Sequence, residues 1–455
     1  MTKRPYRMAT TRQLERSVRE AGFDTYVLPE IPTLDFHRPL AQRLSDGAIF
    51  RPFLEKHDID LVLDFNTETL TLVPDGTSPG EYSLTTAQLG IPYVACYLDP
   101  ITSTMNEVAW KDHWHLLESD TWIKWIWETA HADELIKLGV PNVITMPTAA
   151  ANDDFDTSPL PDPTPGPAVA FMGHPASSWF TSRQTLVPGQ LLVGFTAAAV
   201  HADMPDLPFH KIFYDLYQFM APPEASEDRE TRAAKSQEYF AQKFVYNAYL
   251  AIKQRDRFAR FLSKRLGDAF ELVGDHWGTY YGLPHKPRIW DMTALHERMR
   301  RVPINLNLMK GNLETSFNVR HFEVTAYGGF MLTYHTPELA ACFEIGKECD
   351  VFHDEAELLE KIGYYLDHPD ERRTIALAGQ RRTHSEHLFS HRIQNLVRLL
   401  EQAEMLPKRG LQRPPDKPVG SAVRTTPLLT ESVRTADPTK PTPAATARQP
   451  VVEVP

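Results

Sequence analysis

Short apolar runs alternate with amphipathic helical segments along most of the chain. Before residue 157, helical patterns cover Thr11 to Ala21, Leu44 to His57 and Ala132 to Leu138. Strand-like apolar runs follow or separate them, including D-T-Y-V-L-P, D-L-V-L-D-F, I-P-Y-V-A-C-Y-L-D-P, T-W-I-K-W-I-W and N-V-I-T-M-P. This alternation is typical of βαβ units, in which helices cover a parallel sheet.

The same alternation restarts after residue 167. The strand-like runs are A-V-A-F-M-G, F-E-L-V-G, I-N-L-N-L, F-M-L-T-Y and C-D-V-F. Helical patterns separate them, the longest from about Ser236 to Leu266, and helices from Glu355 to Glu404 follow with an interruption at 368–370. The sequence therefore predicts a second parallel α/β domain.

Proline-rich segments divide the chain. Residues 157–167 contain five prolines, which a regular helix or a central strand does not tolerate, so we predict a linker there. The fold class is then α/β, with two Rossmann-like parallel-sheet domains facing a cleft: an N-terminal domain over 1–156 and a C-terminal domain over 168–405, with an insertion at 188–235. Residues 406–455 are rich in Pro, Thr and Ala without apolar periodicity, and we predict a disordered tail.

Composition excludes several classes of protein. The net charge of −11 over 455 residues argues against non-specific nucleic-acid binding. The scattered Cys96, Cys342 and Cys349 do not form a disulfide framework or a zinc site, and we expect them to be buried thiols. No secretion signal and no apolar run of about 20 residues is present, which predicts a cytoplasmic protein without a transmembrane segment.

Few catalytic motifs are present. The glycine fingerprint of dinucleotide sites and the P-loop are both missing, and so is the G-x-S-x-G elbow. His384, His387 and His391 recur at helical spacing, which suits either a metal site or, more simply, a solvated or interdomain helix face. His113 and His115 form a similar ambiguous pair beside a tryptophan-rich run.

The segment N-V-R-H-F-E-V-T-A-Y-G-G at 318–329 carries more information. A helix is predicted to begin near Asn318, a favoured N-cap type, and a helix N-terminus attracts anions. Arg320 in the first turn opposes the helix dipole unless it binds an anion such as pyrophosphate. Glu323 lies on the same side, where it can accept hydrogen bonds from ribose hydroxyls. A surface Arg–Glu ion pair is the open alternative.

The stretch from I-N-L-N through N-V-R-H-F-E-V-T-A-Y-G-G-F-M-L-T to H-L-F-S-H-R resembles the CgeB-like (spore maturation protein) group of glycosyltransferases. The resemblance is densest over about 300–400 and extends to V-I-T-M-P-T, V-A-F-M-G and L-V-G-D-H-W. It implies the two-domain GT-B fold of group 1 transferases.

The resemblance also implies roles for individual residues. Glu323 falls on the second glutamate of the family's Glu-x7-Glu pattern, which binds the nucleotide ribose. Thr315 stands where the first glutamate contacts the donor sugar, and Glu314 is one position out of register. The other positions implied in donor binding are Phe317, Asn318, Lys310, Arg320, Gly173, Arg183, Gly274, His276 and Trp277.

The implied activity is sugar transfer from a nucleotide-diphosphate donor to an acceptor hydroxyl on a glycan, a lipid-linked sugar or a protein. Group 1 relatives imply retention of anomeric configuration, no metal and no cofactor. Asp99 and His113, from the N-terminal domain, are the candidates for the acceptor-side base. The alternatives are a nucleotide-sugar epimerase of similar shape and an inactive sugar- or nucleotide-binding scaffold.

Overall fold

The computed structural model describes residues 5–26, 40–65, 70–76, 81–97, 114–158, 166–180, 188–203, 227–309, 313–406 and 424–425. Within these residues, two five-stranded sheets form the framework of the molecule. Each sheet has its own helices and its own buried core. The predicted fold class, α/β with parallel sheets in two domains, is confirmed.

The first sheet has the strand order β1-β4-β5-β6-β12. Its parallel strands are β1 Val62–Phe65, β4 Tyr93–Tyr97, β5 Trp122–Ile126 and β6 Val143–Thr145. The pair β12, Arg424–Thr425, adds antiparallel to β6. A separate antiparallel hairpin joins β2 Leu72–Pro74 to β3 Tyr82–Leu84. All residues of β4 and β5 are buried, as expected of central parallel strands covered on both faces.

The second sheet is parallel throughout, with the strand order β11-β10-β9-β7-β8. Its strands are β7 Val169–Met172, β8 Phe270–Val273, β9 Ile304–Asn307, β10 Met331–Tyr334 and β11 Asp350–Phe352. Every strand coincides with an apolar run that the sequence predicts. The carboxyl ends of β7, β8 and β9 lie at the same edge, where parallel sheets bind ligands.

The α-helices connect these strands and cover the sheets. In chain order they are α1 Pro5–Glu20, α2 Leu40–His57, α3 Thr85–Gln88, α4 Thr129–Lys137, α5 Ser177–Phe180, α6 Pro188–Asp203, α7 Arg229–Ala251, α8 Arg257–Leu266, α9 Trp277–Tyr281, α10 Met292–Arg301, α11 Arg320–Ala326, α12 Glu355–Asp367, α13 Pro369–Glu386 and α14 Phe389–Gln402. No described helix combines the length and apolar character that crossing a membrane requires.

Helices α7 and α8 form one continuous rod, joined by a π-helical turn at Ile252–Asp256. Tyr239 and Tyr246 of α7 pack in the core of the first sheet. Phe258 and Leu262 of α8 pack in the core of the second. Because the π-turn adds one residue to a helical turn, it rotates the apolar stripe between the two halves. The rod is therefore shared by both domains.

Helix α14 returns from the second sheet to the first. Phe389, at its start, stacks on Trp125 of β5 with ring centroids 5.4 Å apart. The buried Asn152, which follows β6, accepts from the Ser390 N–H at 3.0 Å and donates to its hydroxyl at 2.9 Å. The N–H of Phe389 also donates to the Ala150 carbonyl at 2.8 Å. These contacts fix the start of α14 to the first sheet.

Arg392 of α14 is fully buried. Its guanidinium donates to the carbonyls of Pro147 at 3.0 Å and Glu386 at 3.1 Å, and to His387 Nδ1 at 2.9 Å. Burial and this guanidinium lower the pKa of His387 to about 2. His387 is therefore neutral, and its Nε2 donates to the Cys342 carbonyl at 2.9 Å. The ring orients Arg392 toward the chain that leaves β6.

Several predicted boundaries change in the structure. The run D-T-Y-V-L-P forms no strand over 24–26, and its remainder lies outside the described residues. The long helix begins at Arg229 rather than near Ser236. A second interruption, at 387–388, separates α13 from α14. The three cysteines are buried and free, as predicted. The domain, linker and tail boundaries stay predictions.

We predict that Arg392→Ala lowers the free energy of unfolding by about 3 kcal/mol or more, because it leaves a cavity and several buried carbonyls unpaired. Urea denaturation followed by circular dichroism measures the change. Arg398, on the same helix, donates to Asn395 at an exposed position and serves as the matched control. Arg398→Ala should stay within about 0.5 kcal/mol of wild type. Equal losses in the two variants would contradict the role of Arg392.

Candidate functional site

Two glycines join the carboxyl ends of β7 and β8. Gly173 follows β7 and donates its N–H to the Val273 carbonyl at 2.9 Å. Gly274 follows β8, and a Cβ added there would lie 2.3 Å from the Gly173 carbonyl oxygen. The buried Trp277 donates its indole N–H to the same oxygen at 2.8 Å. Glycine is needed here because the two backbones touch.

Two histidines extend this edge. His174 Nδ1 accepts from the Asp275 N–H at 2.9 Å, and burial lowers the pKa of His174. His276 has a left-handed backbone with φ of 76°, and its ring centroid lies 6.1 Å from that of His174. Four predicted site residues, Gly173, Gly274, His276 and Trp277, thus lie together.

Arg255, in the π-turn, is a residue that sequence reasoning missed. It is buried, and its guanidinium donates to the Leu308 carbonyl at 3.0 Å and to the His174 carbonyl at 3.2 Å. It thereby links the chain segments that leave β9 and β7. Burial is the main cause that lowers its pKa, to about 10, and repulsion from the nearby Arg320 contributes. The charges of Arg255 and Arg320 therefore interact at this edge, while the neighbouring Asp256 acts on the pKa of Arg255 in the opposite direction.

The carboxylate of Asp256, next to Arg255, binds the loop that follows β7. Asp256 accepts from the Ala176 N–H at 2.7 Å and the Ser177 N–H at 3.0 Å. The Tyr281 hydroxyl donates to it at 2.8 Å. The π-turn thus places two consecutive buried charges at the sheet edge, one on each side of the loop that follows β7.

Arg320 and Glu323 form the pair that the sequence suggested. Arg320 Nη1 lies 3.0 Å from Glu323 Oε2, and the side chains are only 28% and 17% exposed. Neither of these two atoms makes a hydrogen bond within the described residues. Asn318 Oδ1 accepts from the Arg320 N–H at 3.1 Å, so this residue organises the start of α11. The pair is half-buried rather than a surface ion pair.

A carboxylate from the first domain enters the loop that precedes α11. Glu128 follows β5 and is fully buried. It accepts the backbone N–H groups of Glu314 at 3.0 Å, Thr315 at 3.2 Å and Ser316 at 3.0 Å. The Thr315 hydroxyl bonds to the same carboxylate and to Glu338, the latter at 2.8 Å. Sequence reasoning missed Glu128 because no local motif marks it.

Behind this loop, one lysine contacts two carboxylates. Lys243 of α7 lies 2.8 Å from Glu314 and also contacts Glu134 of α4. The Tyr239 hydroxyl donates to Glu134 at 2.6 Å. Desolvation raises the pKa of Glu134 to about 7, whereas Lys243 and His131 hold the pKa of Glu314 well below its usual range. A single ammonium group cannot neutralise both carboxylates, so Glu134 is the one that binds a proton.

The three histidines at helical spacing, His384, His387 and His391, do not form a cluster. His384 Nε2 lies 2.8 Å from the Ala326 carbonyl, while His387 faces Cys342 and Arg392. His391 Nδ1 accepts from the Leu388 N–H at 3.2 Å. The three imidazoles therefore serve the contacts between α11, α13 and α14, which agrees with an interdomain helix face.

The remaining predicted site residues divide into two groups. Asp99, His113, Arg183 and Lys310 lie outside the described residues. Phe317 is a core residue, packed against His321 and Phe322 with ring centroids 5.0 and 5.4 Å away. His115 is half-buried beside the Tyr82 carbonyl at 3.0 Å. The donor-binding roles of these and the other site residues stay predictions.

Comparison with known protein families gives one match. Residues 254–398 match a family model described as glycosyl transferase-like. This segment begins at the π-turn and contains Arg255, Trp277, Arg320 and Glu323. No curated protein sequence matches the chain significantly.

Some of the solved structures that are similar to this chain contain a nucleotide or a nucleotide sugar. Sucrose-phosphate synthase from Thermosynechococcus elongatus is 12% identical, covers 87% of this chain and 93% of its own, and has a TM-score of 0.44. The Anabaena protein HepE, solved with UDP-glucose, is 12% identical over 80% of this chain and 84% of its own, with a TM-score of 0.38. These similarities are too low to transfer an activity.

We predict that Glu134→Gln becomes progressively more stable relative to wild type as the pH rises from about 5 to about 8. In wild type, the folded Glu134 keeps a proton that the unfolded chain releases near its ordinary pKa, so this group's contribution to stability falls with rising pH. Urea unfolding of both proteins at a series of pH values measures the difference.

Tyr239→Phe is the control, because it removes one hydrogen bond to Glu134 but keeps the titrating carboxyl. Its stability should still fall with rising pH, over a range displaced toward higher pH, because the lost hydrogen bond from Tyr239 lowers the pKa of Glu134 in wild type. A difference between Glu134→Gln and wild type that does not change with pH would contradict the assignment of the proton to Glu134.

Proposed function

We propose that the protein is a glycosyltransferase that takes a sugar from a nucleotide-diphosphate donor. The observation that carries the proposal is the family match over residues 254–398, because this segment contains Arg255, Arg320 and Glu323. The resemblance to the CgeB-like group over about 300–400 supports the same assignment and narrows it to one group of glycosyltransferases. The acceptor would be a hydroxyl group of a glycan, a lipid-linked sugar or a protein.

The charges at this edge suit a diphosphate. Arg255 directs its hydrogen bonds to carbonyl oxygens rather than to a carboxylate, and the neighbouring Asp256 offsets part of its positive charge. Arg320 is paired with Glu323 through Nη1 at 3.0 Å, and this nitrogen makes no hydrogen bond within the described residues. A diphosphate beside Arg320 would be stabilised by both guanidinium groups, and more strongly as negative charge develops on the leaving group.

Glu323 is the proposed ribose ligand. Its Oε2 accepts no hydrogen bond within the described residues and lies 3.0 Å from Arg320 Nη1, so a ribose hydroxyl would take the place of the Arg320 contact. A donor that binds here would draw Arg320 toward its phosphates and leave Glu323 to the ribose. His276 and Trp277 lie beside Gly173 and Gly274, at the carboxyl ends of β7 and β8 where the donor would bind.

The chemistry of transfer follows from this placement. We propose that the reaction retains anomeric configuration and uses neither a metal nor a cofactor, as the family resemblance implies. Asp99 or His113 would accept the proton of the acceptor hydroxyl from the side of the first domain. Closure of the two sheets around the donor would exclude water, which otherwise hydrolyses it.

We predict that one class among UDP-, GDP-, ADP-, CMP- and dTDP-sugars raises the melting temperature of the protein, and that Glu323→Ala weakens its binding about tenfold or more. Loss of a charge-assisted hydrogen bond to a ribose hydroxyl accounts for a loss of this size. Thermal shift and release of the free nucleotide are the measurements. Glu297→Ala is the matched control, since Glu297 forms an exposed ion pair with Arg301.

The control should bind like wild type. Nucleotide release that needs an acceptor indicates transfer, whereas conversion of the donor sugar alone would indicate an epimerase. Binding without turnover would indicate a scaffold. If no nucleotide sugar changes the melting temperature, the Arg320–Glu323 pair has only a structural role and the proposed function is wrong.

A further inference from the structure

Glu128 belongs to the first sheet, yet most of its hydrogen bonds go to the second domain. Its own helix contributes one bond, from the Ala130 N–H at 3.1 Å. The N–H groups of Glu314, Thr315 and Ser316 contribute the others, together with the Thr315 hydroxyl. Its side chain therefore reaches from one domain into the backbone of the other.

Three successive backbone N–H groups make an anion-binding concavity. A carboxylate inside it forms charge-assisted hydrogen bonds, which are about twice as strong as neutral ones. Burial and the neighbouring Glu338 raise the pKa of Glu128, so the contact is held against an electrostatic cost. Without this carboxylate, three N–H groups at a buried position would lose their acceptor, and the loop would rearrange to find others.

The same loop leads directly into the proposed donor site. Two residues after Ser316, Asn318 accepts from the Arg320 N–H at 3.1 Å and from the Asn307 side chain at 3.1 Å. The second domain supports the loop from its own side, since the Glu338 N–H donates to the Thr315 carbonyl at 3.1 Å. Glu128 supports the loop from the first domain, where His131 of α4 also contacts Glu314.

We propose that Glu128 is a positioning residue for the donor site: its carboxylate fixes residues 314–316, and through Asn318 it sets the place of Arg320 and Glu323. This inference rests on the proposed function. Glu128 would couple donor binding to contact between the two sheets, because the loop keeps its hydrogen-bond acceptor only while the sheets are in contact. Donor affinity then depends on a residue of the opposite domain, and donor binding favours the closed arrangement.

The test compares three proteins for binding of UDP, GDP, ADP and dTDP by isothermal titration calorimetry. Glu128→Gln keeps the size of the side chain but turns an NH2 group toward backbone N–H donors. It should weaken binding of the diphosphate that wild type prefers by about tenfold, in line with the loss of charge-assisted hydrogen bonds. Tyr239→Phe, which alters the buried polar cluster on the side of the first domain only, should stay within about twofold of wild type.

Hydrogen exchange distinguishes positioning from a general loss of stability. In Glu128→Gln, the amides of 314–316 should exchange faster, while those of β7 and β9 keep their protection. In turnover assays, the apparent KM for the donor should rise more than kcat falls. Glu128→Asp, which keeps the charge, should recover part of the affinity that Glu128→Gln loses.

Two results would overturn the inference separately from the proposed function. If wild type binds a diphosphate and Glu128→Gln binds it equally well or more tightly, Glu128 does not position the donor site. A uniform loss of protection across β7 and β9 would reduce Glu128 to a stabilising residue. If wild type binds none of the four diphosphates, the proposed function and the inference fall together.

Discussion

The two-domain arrangement depends on buried contacts that charged side chains make across the domain boundary. Glu128 gives its carboxylate to the backbone of 314–316, and Glu314 in return lies against Lys243 of α7. Desolvation makes each of these groups costly by itself, so they are tolerable only together. These contacts hold the loop that leads to α11 between the two sheets.

Much of the fold was predictable, because the central strands of a parallel sheet are buried on both faces and read as continuous apolar runs. The runs W-I-K-W-I and V-A-F-M are such cases, and both are strands. The β2–β3 hairpin was not predictable, since strands of three residues carry too little periodicity. Nor was the π-turn, because its extra residue is fixed by the packing of α7 and α8 on two different cores.

The candidate site divides in the same way. Arg320 and Glu323 were recognisable because they belong to one short segment with a distinctive order of residues. Gly173 and Gly274 were named through the family resemblance, from their positions after strands of the second domain. Arg255 and Glu128 left no local signal, since their roles depend on carbonyl and amide groups about 50 and 190 positions away in the chain. Sequence reasoning finds the residues that a motif carries and misses those whose roles depend on groups far away in the chain.

The rod of α7 and α8 has a mechanical consequence. Because this helix is embedded in both cores, closure of one sheet toward the other would require the rod to bend. Bending would concentrate at Ile252–Asp256, where the hydrogen-bond ladder changes its step. Arg255 sits in that stretch, so any flexing of the rod would shift its guanidinium directly. The guanidinium of Arg255 is thus carried by the segment of the rod that would bend, and not by a rigid strand or helix.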